Sequence, residues 1–133
     1  MKKTVTVGIV GCGLIGKRRA DNLGNYDEIV GTSDLDILKA RKISNFGVVS
    51  EDYTDITRGT DADVIIVATP NKFLAKIAID ALRHNKHVLI EKPAGINANE
   101  ISQIANESLS NNKKVFDSLN PCIKTFVLLG TIT

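Results

Sequence analysis

Three glycines, Gly11, Gly13 and Gly16, stand within six residues of "IVGCGLIGKR" (9–18), with Cys12 between two of them and Lys17, Arg18 and Arg19 behind. Glycines at this density suit a main chain that must come close to a ligand, and phosphate is the ligand that bare backbone amides hold well. Farther along, Asp34 follows "EIVGTS", Thr69, Pro70 and Asn71 follow an apolar run, and Glu91 and Lys92 follow "HVLI". Each group is polar punctuation at the end of an aliphatic stretch. Together they offer a carboxylate, a hydroxyl, an amide and a carboxylate–ammonium neighbour pair.

Three chemistries fit the glycine stretch. A lipoprotein cleavage box is suggested by Met1-Lys2-Lys3 and "IVGC", but "TVTVGIV" is short and strand-like, and a helix follows at once where a polar tether belongs. An ATP phosphate loop needs Ser or Thr after the lysine to ligate Mg²⁺. Arg18 stands there, and a guanidinium has only donors. A dinucleotide turn needs Gly11 for the tight bend, Gly13 for backbone approach to a diphosphate, and Gly16 for close packing of the helix on the sheet. The amides of Leu14 and Ile15, opening that helix, would then hold the diphosphate. Alone, G-x-G-x-x-G is a weak signal. It also requires an acid about 20 positions on, at the end of the second strand. Asp34 is 18 residues beyond Gly16. A carboxylate there accepts from the adenosine ribose hydroxyls and repels a 2′-phosphate, which favours NAD over NADP; Lys39 and Arg41 nearby work against that preference.

These groups need elements to position them, and the chain supplies an alternation. Strands are expected at 4–10, 28–33, 48–50, 63–69, 87–91 and 113–118. Helices are expected over 14–23 with Gly24 as the stop, 36–44, a brief turn at 52–58, the stretch 71–85 and 97–110. Strand–helix alternation implies right-handed βαβ units and an α/β fold, a doubly wound parallel sheet of Rossmann type with helices on both faces. Carboxyl ends of strands then border a cofactor crevice, with Thr69 and Asn71 facing the nicotinamide ribose and Glu91 and Lys92 the substrate space. Asn120 and Pro121 open a last apolar helix, 121–129. The expected division is a dinucleotide-binding domain over 1–120 and a helix in 121–133 leading into a C-terminal domain absent from this chain.

Composition sets bounds on other classes. At 133 residues the chain is one domain's worth. A net charge of +2 leaves no basic footprint for nucleic acid, and aromatics at 5% leave few base-stacking platforms. The longest apolar run, 64–68, is too short to cross a bilayer. Cys12 and Cys122 lack paired spacing and are expected reduced, in the cytoplasm. His84 and His87 have no third ligand beside them, so no metal is expected.

"GIVGCGLIG", "SDLD", "ATPN" and above all "ALRHNKHVLIEKP" resemble the glucose–fructose oxidoreductase and inositol dehydrogenase family across nearly the whole chain. The resemblance implies an NAD(P)-dependent oxidoreductase that oxidises a secondary alcohol of a sugar, nucleotide sugar or cyclitol, or reduces the ketone. A nucleotide sugar is slightly preferred, and the full-length protein is expected to be a homo-oligomer. By position, Lys92 would be the catalytic group that holds the reacting hydroxyl. The chain departs from the family at Leu74 and Arg19, where relatives often carry histidine, and at "DSLNP". By itself it is expected to bind dinucleotide and turn over poorly or not at all. The alternative is a non-catalytic NAD-sensing or scaffold module.

Overall fold

The computed structural model of the chain describes residues 4–24, 27–44, 47–91 and 97–117. Among these, strands and helices alternate as β1 (Val5–Val10), α1 (Leu14–Asp21), β2 (Asp27–Ser33), α2 (Ile37–Ile43), β3 (Val48–Ser50), α3 (Thr54–Thr57), β4 (Val64–Val67), α4 (Asn71–Arg83), β5 (His87–Ile90), α5 (Ala98–Asn111) and β6 (Val115–Asp117). The sheet runs β3-β2-β1-β4-β5-β6 with every neighbouring pair parallel. The chain therefore begins in the middle, winds outward to β3, and returns to the far side of β1. This is the expected doubly wound sheet.

Strand periodicity assigns side chains to two cores. Val5, Val7, Ile9, Val64, Ile66 and Leu89 pack with Ala20 of α1 and with Ala40 and Ile43 of α2. Val10, Ile65, Val67, Val88 and Ile90 face the opposite way, against Ile56, Leu74, Ala78, Leu82 and Ile104 of α3, α4 and α5. Covering both faces is why "VIIV" reads as a continuous apolar run. Each buried aliphatic side chain is worth about 2 kcal/mol. The four-residue α3 has a made-to-measure seat. Gly8 and Gly31 are register partners, and a Cβ at either would come within 2.7 Å and 3.0 Å of Ile56. Asp80 of α4 holds the other side of α3, accepting from Thr57 Oγ1 at 2.5 Å and Arg58 Nη2 at 2.7 Å.

Helix ends follow their local chemistry, with one correction. Gly24 is not the stop of α1, which ends at Asp21 with Asn22 as its cap. The Asn22 side chain donates to the Arg18 carbonyl at 2.8 Å, and its own amide tightens onto Arg19, so the last turn closes before the glycine is reached. Asn97 and Glu100 form a reciprocal cap that starts α5. No described helix is long and apolar enough to cross a membrane. The expected helix 121–129, the boundary at 120, Cys122 and Lys92 all lie outside the described residues.

Candidate functional site

β1 lies between β2 and β4, and α1 leaves on one face while α4 leaves on the other. A crevice opens at this reversal of strand order, beyond the carboxyl ends. Its floor is the glycine turn. Gly11 has φ +94°, and a Cβ there would stand 2.6 Å from the Ala68 carbonyl carbon and oxygen. Only glycine accepts both that torsion and that approach. At Gly16 a Cβ would stand 2.0 Å from the Gly11 carbonyl oxygen, so α1 lies directly on the turn. Gly13 is different, because a Cβ there meets no described atom within 4 Å. The fold needs the first and third glycines; the middle one keeps a space open.

Gly13 is the N-cap of α1, and no side chain caps that end. Helix geometry leaves the Leu14 and Ile15 amides without an acceptor inside the helix, at the positive end of its dipole. The Leu14 side chain is 73% exposed, which leaves the main chain for the site. Asp34 stands opposite. Its Oδ2 accepts from the Cys12 amide at 2.8 Å and its Oδ1 from the Asp36 amide at 2.8 Å. The carboxylate is pinned to the rim of the glycine turn, and each oxygen keeps lone-pair capacity for a hydroxyl donor.

These residues share one cleft of about 450 Å³, bordered by Gly11, Gly13 and Asp34 on one side and Thr69, Pro70 and Phe73 on the other. Leu35, Phe73 and Ile77 give it apolar walls. The Thr69 hydroxyl oxygen is buried and has no partner among the described residues. A buried hydroxyl left unpaired costs about 1–3 kcal/mol, a debt that a polar ligand in this cleft would cancel. An open cradle at Gly13, a pinned carboxylate and a waiting hydroxyl fit a ribose–diphosphate ligand. Asn71 opens α4 directly behind Pro70.

Glu91 is placed elsewhere. It continues the alternation of β5 on the side of Leu89, facing α1, and the Arg19 guanidinium binds it there through Nε to Oε1 and Nη2 to Oε2. Arg19 is 8% exposed. The expectation that Glu91 projects into the cofactor or substrate space is therefore corrected: strand parity turns it to the α1 side, into a part-buried ion pair. Arg19 thus separates from the other cations of its run: Lys17 pairs with Asp21 on the surface at 3.2 Å. The parity of β5 was the available signal for this pair. Leu35 and Phe73 were also missed as cleft walls; apolar Leu35 between two aspartates in "SDLD" was the clue. A larger cleft of about 650 Å³ between α4 and α5 holds none of the expected site residues, and its Arg58 and Arg83 are paired with Asp80 and Glu107.

Cys12 sits under the turn with its thiol 3.3 Å from the Ser33 carbonyl. Burial, with the Asp34 carboxylate beside it, pushes the thiol up to about 12 from an ordinary 9.0. The unfolded chain thus ionises this thiol first, so stability is complete below pH 9.0 and declines as pH rises toward about 12. We expect Cys12→Ala to flatten that alkaline decline in urea unfolding curves. Iodoacetamide at pH 8 should leave native Cys12 unmodified, as read by peptide mass.

A strand, a glycine turn and an uncapped helix on a doubly wound sheet, with an acid at the end of the second strand, define a dinucleotide-binding domain of the Rossmann class. A family model described as an oxidoreductase family with an NAD-binding Rossmann fold matches residues 5–117, and the chain belongs to that family. It is 29% identical over 119 residues to inositol 2-dehydrogenase of Salmonella typhimurium, covering 84% of this chain and 35% of that protein. The inositol 2-dehydrogenase of Burkholderia cenocepacia is 26% identical over the same length. The crystal structure of scyllo-inositol dehydrogenase from Lactobacillus casei with bound NAD(H) and scyllo-inositol superposes with a TM-score of 0.79 at 27% identity, over 87% of this chain and 36% of that one. The chain spans about a third of the length of these relatives.

Proposed function

We propose that this chain is the cofactor-binding part of an enzyme that oxidises a secondary alcohol of a cyclitol, sugar or nucleotide sugar with NAD, or reduces the corresponding ketone. The observation that carries the reading is the single cleft shared by bare glycine backbone, a pinned carboxylate and an unpartnered hydroxyl. Gly13 and the first amides of α1 would take the diphosphate and Asp34 the adenosine ribose. Leu35 and Phe73 would wall the base, and Thr69 and Asn71 would meet the nicotinamide side. A 2′-phosphate would press its charge against Asp34, which favours NAD, with Lys39 on the rim tempering that preference. When bound, NAD supplies the hydride acceptor. Lys92, the residue after Glu91, would hold the reacting hydroxyl and steady the negative charge its oxygen gains as the hydroxyl proton passes to solvent, so that hydride can leave the carbon as the carbonyl forms. The relatives' names favour a cyclitol over a nucleotide sugar. The free thiol of Cys12 suits a reducing compartment such as the cytoplasm.

Calorimetric titration with NAD tests the cofactor reading. The parent should show one saturable site, and Asp34→Ala should weaken it about thirtyfold through lost charge-assisted bonds to the ribose and a loosened glycine turn. Absence of binding by the parent, or an unchanged Asp34→Ala, would overturn the reading.

A further inference from the structure

We propose that Arg19, acting through Glu91, sets the position in which α1 presents its amino end to a diphosphate; this rests on the NAD reading above. Within the eight residues of α1, only Gly16 and Arg19 are buried. They lie three apart and so share one face. Leu14 and Ile15, the large apolar residues of the helix, are 73% and 40% exposed, and its core contacts are the small Ala20 and, past its last turn, Leu23, so no large side chain near its amino end anchors it. Gly16 determines how closely the helix lies on the turn, through its approach to the Gly11 carbonyl. A second point of attachment is needed to fix rotation and tilt, and the Arg19–Glu91 pair is that point. Its far end is rigid: the Glu91 amide donates to the Val67 carbonyl at 3.0 Å, and Leu89 beside it is fully buried. A planar guanidinium engages both carboxylate oxygens at once and so transmits orientation. A lysine ammonium keeps the charge but acts as a point, which leaves the helix free to turn.

Arg19→Lys and Glu91→Gln separate positioning from mere stability. Each variant is melted to establish the folded range, and within it NAD and ADP-ribose are titrated by calorimetry and adenosine by NMR shifts. The expected result is that both dinucleotide-type ligands weaken roughly tenfold, the worth of one misdirected amide–phosphate bond. Adenosine, which has no diphosphate, should bind as it does to the parent. If Arg19→Lys melts below the assay temperature, Glu91→Gln, which keeps shape and removes charge, gives the decision. A folded variant with NAD affinity within twofold of the parent overturns the inference, and so does an equal loss for adenosine. A parent that binds no NAD overturns the cofactor reading itself, so the two failures are distinguishable.

Discussion

Gly13→Ala is expected to melt within a few degrees of the parent and to bind NAD about a hundredfold more weakly. The residue has φ −76° and ψ −156°, a backbone state open to any L-residue. The added Cβ meets no described atom within 4 Å, so neither torsion nor packing resists it. Two small terms remain. Alanine is a poorer N-cap than glycine by about 1 kcal/mol, and the stiffer unfolded chain offsets about 0.4–1 kcal/mol of that. They nearly cancel. Binding has no such compensation, because the methyl occupies the space through which a diphosphate would reach the helix amides. Losing one or two charge-assisted bonds of about 1.5–3 kcal/mol each gives the hundredfold figure. Calorimetry and thermal melting of the same preparation check it. Unchanged affinity would remove Gly13 from the diphosphate site, and a large fall in melting temperature would make it a structural glycine like its two neighbours.

The glycine turn was legible because the tight bend at Gly11 and the close helix packing at Gly16 depend on main-chain geometry that the motif itself encodes. The same holds for the strands: period-two burial on two faces leaves apolar runs such as "VIIV", and the alternation with helices admits few topologies. Asp34 was found by its distance from the turn, and the structure pins it there through the Cys12 amide. What escaped depended on which way a side chain faces at the end of an element. Glu91 follows Ile90 at the end of an apolar run, and polar residues after strands invite placement in the crevice. Yet residue 91 shares its parity with Leu89, and a buried arginine was needed to show what that parity implies. Arg19 sits within three consecutive cations, which conceals the one that is buried. The end of α1 was misjudged for a related reason: Gly24 is the stronger stop by composition, but Asn22 reaches the Arg18 carbonyl first.

Gly16→Ala sets two effects of opposite sign against each other at one helical position. Intrinsic propensity favours alanine over glycine inside a helix by about 1 kcal/mol, so propensity alone predicts a more stable protein. The structure predicts the reverse. A Cβ at 16 would stand 2.0 Å from the Gly11 carbonyl oxygen, which is backbone and has no rotamer to escape into. Gly11 cannot retreat either, since its own turn lies against the Ala68 carbonyl and its amide is held by Ser33 at 2.8 Å. The helix must therefore lift by more than 1 Å, dragging Arg19 from Glu91 and shifting the Leu14 and Ile15 amides. Overpacking against backbone costs about 3 kcal/mol, which exceeds the propensity gain. The net expectation is a melting temperature lower by about 10 °C, with NAD affinity lost in the folded remainder. Thermal melts followed by far-UV circular dichroism read the sign directly. A Gly16→Ala protein that melts at or above the parent would mean that α1 is not seated on the glycine turn. The close helix–turn contact, on which the proposed diphosphate site depends, would then be gone.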